Sequence, residues 1–513
     1  MIVKKNNEDI NLDNSLKLIA KTSFVVLIGL FFAKLFTYIF RITVARYYGP
    51  EVYGLFSLSL MVIAWFTAFV SLGFLEGILR FIPFYRGRNQ INKIKYTVKL
   101  TSKIIIISGI ISGVLLFLLS KYISITFFHS EELIPFLKIS SILIVIWMLA
   151  SLYTYIIRAY EKTSSYSFIY NILQNLLRLV FLIFLIFLGL KGEATILAYF
   201  LGAFCILVIS YLFCRYKLPL IFGPCRLDRK KKKAVSREIF NYSWPTVFNS
   251  LIATIFVWID SFSIGYFRTV ADVGIYNVAI PIATLLLIAP DLFTQLFFPL
   301  VNREYVKKNF KLVKELSQQV GKWIFIINIP LLIILLLFPG AVINILFGPE
   351  YIAAENALRM LAVGNFIFSI ATISYFLILV KGKTKIPLMN TSFLAALNIL
   401  LNFLLVPRYG INGAAFSTTF CFTFGSIIYM FQAKKFISIV PLRRKMLTIA
   451  LLSIIPTILL FFIRRVVEIN LFNLIILGLF FILLYFLLIL FGNGLDENDK
   501  RILKFIKNKF LGN

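Results

Sequence analysis

The chain has 513 residues, of which 60% are hydrophobic and 15% are charged, and its mean hydropathy is +0.91. In soluble domains the apolar share is about one half, and a globule that cannot bury its apolar surface aggregates. The composition therefore excludes a soluble enzyme, a nucleic-acid-binding protein and a disordered scaffold. It indicates a membrane protein with many spanning helices, and it disfavours a β-barrel, whose strands alternate apolar and polar residues.

The chain carries a formal net charge of +31, from 53 Lys and Arg against 22 Asp and Glu. Cytoplasmic loops of membrane proteins collect positive charge, so we expect no nucleic-acid partner. The four cysteines show no metal-binding spacing, and His129 is the single histidine. We therefore expect no metal and no cofactor. The first 15 residues are polar, so no cleavable signal peptide is predicted.

Apolar stretches recur along the whole chain, each long enough to cross a hydrocarbon layer about 30 Å thick. The predicted spans are 20–40, 52–75, 100–120, 135–157, 166–188, 194–213, 241–267, 274–300, 322–345, 355–380, 387–405, 412–433, 447–463 and 471–492. The expected fold class is thus an all-α integral membrane protein with about 14 transmembrane helices.

Positive charge alternates between successive connections. With the N-terminus placed in the cytoplasm, the inner segments contain 37 Lys and Arg and the outer segments contain 8. This bias predicts a multi-pass protein of the cytoplasmic membrane with both termini inside. The run 229–233 is expected to contact anionic lipids of the inner leaflet. The spacing of basic and apolar residues over 499–510 predicts an amphipathic helix on the same leaflet.

Short matches recur at an offset of 220 or 221 residues. The segment 136–139 matches 357–360, and Gly54 matches Gly274. Two parallel halves of six spans that enclose a central site are typical of transporters. The predicted organisation is a cytoplasmic segment (1–19), a first lobe (20–213), a basic linker (214–240), a second lobe (241–433), two further spans (434–492) and a cytoplasmic tail (493–513).

Several short motifs resemble those of the Wzx-like polysaccharide-biosynthesis flippases, within the multidrug/oligosaccharidyl-lipid/polysaccharide (MOP) exporter superfamily. They are RYYGPEVYG (46–54), WID (258–260), VGIYNVA (273–279), FGPEY (347–351), ALRML (357–361) and YGINGAA (409–415). The resemblance implies two lobes of the kind found in MATE transporters. It also implies movement of an isoprenoid-diphosphate-linked oligosaccharide from the inner to the outer leaflet.

Arg178 is the main candidate for substrate binding. It lies near the middle of the fifth predicted span, where Gln174, Asn175 and Arg178 share one helical face. A polar stripe at this depth has to face a cavity or a partner helix. Two interpretations stay open: contact with the phosphate or sugar of a substrate, and structural hydrogen bonds between helices.

Three further cations lie within the predicted spans. Lys34 belongs to the first span, and Lys138 and Arg359 occupy matched positions of the two halves. One interpretation is that their side chains reach outward to the interface. The other is that Lys34 lines a cavity and that Lys138 and Arg359 form a symmetric anion site.

Three carboxylates near the membrane are candidates for ion coupling or gating. They are Glu76, Asp260 and Asp291. Asp291 follows Pro290 in a span with prolines at 281, 290 and 299, which predicts a kinked helix. A carboxylate beside a kink suits proton or sodium binding, whereas pairing of Asp260 or Asp291 with Arg178 or Lys34 is the alternative.

We therefore expect a flippase of lipid-linked oligosaccharide for surface glycan assembly, which works by alternating access and is not an enzyme. The longest predicted outer connection, 121–134, is too short for the outer domain of a ligase or glycosyltransferase. A related MOP exporter, either a MATE-type small-molecule antiporter or a lipid II flippase, is the alternative. Expected partners are the lipid-linked oligosaccharide, anionic lipids of the inner leaflet, and H+ or Na+ as the coupling ion. We expect a monomer.

Overall fold

The computed structural model describes the backbone of residues 7–468, 470–492, 494–496 and 499 and, from residue 28 onward, their side chains except those of Asn249 and Leu296. This described part is helical, with no strand. Its Cα packing forms two units, one up to Asn277 and one from Val278. The predicted tail helix, 499–510, lies outside the described residues beyond Asp499.

The first unit contains eight helices and the start of a ninth. They are α1 (Asn7–Ser71), α2 (Phe74–Gly87), α3 (Ile91–Tyr122), α4 (Leu133–Ala159), α5 (Thr163–Tyr166), α6 (Gln174–Phe187), α7 (Ala194–Lys217), α8 (Arg229–Phe267) and α9 (Val270–Thr284). A π-helical segment, Ser167–Leu173, joins α5 to α6. Within this unit, α4 packs on α3 and α7, and α1 packs on α4 and α8.

The second unit contains the remaining helices. They are α10 (Ile288–Val306), α11 (Phe310–Leu337), α12 (Pro339–Leu346), α13 (Glu355–Val380), α14 (Lys385–Tyr409), α15 (Ile411–Ile437), α16 (Arg444–Ile463) and α17 (Leu471–Phe491). Here α13 packs on α11 and α15, and α16 packs on α17. One buried core joins α10, α11 and α13, and a second joins α11 to α16 and α17.

Thirteen helices in the described part of the chain are long and apolar enough to cross a membrane. The first candidate, Ile28–Ser71, is 44 residues long, about twice the length that a bilayer requires. It is broken at Gly49, whose φ of 80° and ψ of −179° suit glycine alone. Pro50 then begins the next helical stretch, a position where its fixed φ and missing N–H are tolerated. Two predicted spans therefore lie within α1, which confirms the all-α fold with about 14 spans.

The kink that the prolines predict lies between α9 and α10. A short 3₁₀ segment, Leu285–Leu287, interrupts the helix there. Upstream, α8 begins at Arg229, inside the predicted linker 214–240, because Lys and Arg are good helix formers. The sequence repeat places α8 in the second half, whereas its packing places it with α1 and α2 in the first unit. The predicted domain boundaries stay a prediction.

Candidate functional site

The first unit contains an open cleft of about 420 Å³, which lies between α1, α2, α4 and α8 and beside the π-helical segment. Five hydroxyl side chains line it: Thr67, Ser71, Ser151, Ser250 and Thr254. Four aromatic side chains complete the polar and aromatic lining: Trp147, Tyr155, Tyr170 and Trp258. This volume and this mixture of aromatic and polar groups are typical of small-molecule sites.

Glu76 gives the cleft its charge. Among the described residues that line the cleft, it is the one charged side chain. Its Oε2 atom is buried and accepts no hydrogen bond from any described residue. A buried carboxylate oxygen without a donor costs free energy in the unliganded protein, so Glu76 is better suited to a ligand than to stabilising the fold.

Arg178 does not line the cleft. Its guanidinium lies 4.6 Å from the ring centroid of Trp147 and 4.1 Å from that of Tyr199, and only 7% of the residue is exposed. Since Trp147 lines the cleft, Arg178 supports the cleft wall from behind.

The rest of the stripe on α6 also forms contacts within the protein. Asn175 Oδ1 accepts hydrogen bonds from Thr37 on α1 (3.3 Å) and from Arg178 (3.5 Å). Gln174 is buried beside Arg178. In the amide orientation that satisfies its hydrogen bonds, its side-chain oxygen accepts from the Arg178 guanidinium. The geometry favours hydrogen bonds between helices over direct contact with a substrate.

The other three predicted cations lie apart from this cleft. Lys34 and Lys138 are exposed, and Lys138 Nζ lies 5.6 Å from the ring centroid of Phe117. Arg359, in the second unit, donates to Asn356 Oδ1 (2.6 Å) and pairs with Glu355 (3.7 Å). The structure therefore brings none of the four predicted cations into the cleft of the first unit.

Asp260 lies in a buried polar network of the first unit, separate from the cleft lining. It is 5% exposed, and Tyr276 donates a hydrogen bond of 2.6 Å to its Oδ2. Nearby, Arg41 donates to Tyr53 Oη (3.2 Å), and Tyr53 donates to the carbonyl oxygen of Asn277 (3.4 Å). Arg41 is not among the predicted site residues, because residues 41–51 were expected to form an outer loop.

Two glycines at matched repeat positions form a close contact between α1 and α9. A Cβ on Gly54 would overlap the carbonyl oxygen of Val270, and a Cβ on Gly274 would overlap that of Pro50. The two overlaps are related by the repeat, because 220 residues separate Pro50 from Val270 as they separate Gly54 from Gly274. Small residues allow helices to approach this closely, so α1 and α9 are in tight contact at this end of the unit.

In the second unit, Asp291 is exposed in the first turn of α10. The same unit contains a buried charge cluster that the sequence pattern did not predict. Lys322 on α11 is fully buried and pairs with Asp496 (2.6 Å) and Asp499. Arg443 pairs with the same Asp496. No group of three or more His, Cys, Asp and Glu side chains in the described ranges could hold a metal ion.

Asp499 is held in its charged form by this cluster. Burial opposes its ionisation, but hydrogen bonds from Lys322, from the backbone N–H of Asp496 and from Trp323 outweigh burial and lower its pKa. The contact with Lys322 links the segment after α17 to α11. A regular sequence pattern could not reveal this pair, because its members are 177 residues apart.

The sequence model of the family described as "Polysaccharide biosynthesis protein" matches residues 19–303, more than half of the chain. The chain belongs to the polysaccharide biosynthesis protein family. A second family model, MatE, matches residues 245–404. Together the two matches confirm the membership of the MOP exporter superfamily that the sequence motifs indicate.

Relatives and solved structures agree with this family. A putative O-antigen transporter of Shigella flexneri is 27% identical over 73% of this chain and 87% of its own. A probable low-salt glycan biosynthesis flippase of Haloferax volcanii is 25% identical over 43% of this chain and 47% of its own. A lipid II flippase in an inward closed conformation superposes with a TM-score of 0.72, at 17% identity, over 92% of this chain and 99% of the other. The likeness to that structure shows the fold of a multi-pass membrane protein.

Proposed function

We propose that this protein is a flippase that moves isoprenoid-diphosphate-linked oligosaccharide across the cytoplasmic membrane for surface glycan assembly. The single observation that carries the proposal is a polar cleft in the first unit of a chain of this family. The sugar headgroup of such a lipid cannot enter hydrocarbon without a polar path. Two relatives that are named as a glycan flippase and an O-antigen transporter support the same cargo.

Alternating access is the mechanism that we infer from the two ends of the first unit. The cleft residues of α1, α2 and α4 lie toward the helix ends that the charge bias assigns to the cytoplasm. The contact of Gly54 with Val270 lies toward the opposite ends. An open inner end with a closed outer end describes an inward-facing state, and transport requires the reverse arrangement as well.

Translocation is tested with the full-length protein in liposomes that contain a fluorescent isoprenoid-diphosphate disaccharide. The expected result is that an impermeant quencher reaches a larger fraction of the label than in protein-free liposomes, with H+ or Na+ gradients imposed in either direction. Equal quenching under every gradient overturns the proposal.

The mechanism is tested by cysteine labelling in a variant whose four native cysteines are replaced by alanine. Ser71→Cys lies in the cleft, and Ser57→Cys is buried on α1 near the closed end. An impermeant maleimide should label the first variant from the cytoplasmic side and leave the second unlabelled. During transport, position 57 should become reactive. If it stays unreactive while lipid is translocated, alternating access through this contact is wrong.

A second candidate function is export of cationic small molecules. It is favoured by the MatE match and by the negative charge of Glu76, which is the one charge among the described cleft residues. The four predicted cations would repel such cargo from a cavity that they lined, but none of them lines this cleft: Arg178, Lys34, Lys138 and Arg359. Efflux of ethidium from the same liposomes, without movement of the lipid, would favour this function.

A further inference from the structure

We propose that the cleft is the sugar-binding subsite of the transported lipid and that Glu76 selects neutral and amino sugars against acidic sugars. The inference rests on the proposed function and specifies its cargo. In this proposal Glu76 determines substrate specificity, whereas the sequence pattern predicts a role in ion coupling or gating.

The first support is a buried carboxylate oxygen of Glu76 that has no hydrogen-bond donor among the described residues. Its Oε2 accepts no hydrogen bond from the described residues, and no other charged side chain among them lines the cleft. Hydroxyl and ammonium groups are donors that satisfy a carboxylate. A second carboxylate, as in a uronic acid, would instead place two like charges close together in the cleft.

The second support is the aromatic wall. Trp147 and Trp258 line the cleft together with Tyr155 and Tyr170. The C–H face of a sugar ring packs against aromatic surface through dispersion, while its hydroxyls need polar partners at the edge. Ser151 and Thr254 line the same cleft and supply such partners.

The third support is the position of the nearby cations. Arg178 is stacked against Trp147 and does not line the cleft. Arg158 lies one turn beyond Tyr155 on α4, where it stacks on Tyr166 at 5.4 Å from the ring centroid. Arg80 lies one turn beyond Glu76 on α2 and stacks on Tyr242 at 4.3 Å. Both arginines are exposed and lie outside the cleft lining. Their positive charges therefore suit the diphosphate of the lipid, and Glu76 is the charged group that contacts the sugar.

The transport test uses three isoprenoid diphosphates that carry a single glucose, glucosamine or glucuronic acid. At neutral pH we expect the full-length protein in liposomes to move the glucosyl and glucosaminyl lipids roughly tenfold faster than the glucuronyl lipid, a ratio equivalent to about 1.4 kcal/mol. Glu76→Gln should bring the glucosyl and glucuronyl rates within about twofold, chiefly because the glucuronyl lipid moves faster. Glu161→Gln is the matched control, since Glu161 is exposed and pairs with Arg86. It should keep the wild-type ratio.

Binding is measured separately with free methyl glycosides, through tryptophan fluorescence. The full-length protein carries phenylalanine at its three other tryptophans, Trp65, Trp244 and Trp323, so that Trp147 and Trp258 alone report. Methyl glucoside should change the fluorescence of the purified protein, and methyl glucuronide should do so only after Glu76→Gln. Trp258→Ala should weaken binding of methyl glucoside at least fivefold, and Trp258→Phe should restore most of it.

These two measurements separate the inference from the proposed function. Equal transport of all three lipids by the wild type, or the same discrimination after Glu76→Gln, overturns the sugar subsite. Translocation without any fluorescence response to the glycosides also overturns it. Binding that depends on Glu76, in a protein that translocates none of the lipids, supports the subsite and overturns the flippase function.

Discussion

Glu76 and Asp499 each bury a carboxylate oxygen, yet the surroundings of the two oxygens are opposite. Asp499 is 4% exposed and accepts hydrogen bonds from Gln319, Lys322 and Trp323. The Oε2 atom of Glu76 accepts none from the described residues, and Glu76 lines a cleft. A carboxylate whose hydrogen-bond partners all come from the protein stabilises the fold, whereas a carboxylate oxygen without a donor beside open space is available to a ligand.

The largest expected effect comes from removing the cation of the paired site. Lys322→Ala leaves Asp499 buried without its counter-charge, which should lower the stability of the folded protein by about 3–5 kcal/mol. The midpoint of thermal unfolding in detergent measures this loss. Lys314→Ala is the control, because Lys314 is exposed on the same helix. Equal midpoints for the two variants would contradict the structural role of the cluster.

Neutralising the two carboxylates should change stability in opposite directions. Asp499→Asn should destabilise the protein by about 1–3 kcal/mol, since hydrogen bonds to a charged group are lost. Glu76→Gln should stabilise it by about 0.5–1 kcal/mol, because a charged group with a buried oxygen that accepts no hydrogen bond from the described residues is replaced by a neutral amide. The measurement is the midpoint of thermal unfolding of each variant, compared with that of the wild type. A loss of stability in both variants would remove the distinction between the two sites.

The pH dependence sharpens the same contrast. The pKa of Asp499 is lowered in the folded state, so its contribution is fully present above the pKa of the unfolded chain, about 3.9. That contribution is lost as the pH falls through the lower folded-state value. As the pH is lowered from 7 into the acid range, the difference in the midpoint of thermal unfolding between the wild type and Asp499→Asn should decrease. A constant difference would mean that Asp499 is not stabilised as a carboxylate.

A smaller effect is expected behind the cleft wall. Arg178→Lys keeps the charge but loses the flat guanidinium that stacks on Trp147 and Tyr199, and a stacked arginine contributes about 0.5–2 kcal/mol. We expect a change in the emission maximum of Trp147, measured against a Trp147→Phe background, and slower translocation. Lys138→Ala, which changes an exposed cation, should leave both unchanged. Wild-type emission in Arg178→Lys would show that Arg178 does not position Trp147.

Sequence reasoning predicts what depends on local periodicity and composition. The helices, the break between α9 and α10, and the shared face of Gln174, Asn175 and Arg178 all follow from spacing along the chain. The stacking of Arg178 on Trp147 does not, because Trp147 belongs to α4 and the contact depends on how two helices pack. The pair of Lys322 with Asp499 was missed for the same reason. Arg41 was missed because α1 continues as a helix through residues that were expected to form a loop.

The contact between Gly54 and Gly274 has a consequence for the ancestry of the fold. Each glycine faces the residue four positions before the other, so the contact has the symmetry of an isologous interface. In a homodimer of a chain half this length, the same glycine of the two copies would lie in contact at the two-fold axis. Evolutionary replacement of one glycine by a larger residue would then call for compensation in the other half, and the two positions should covary among descendants.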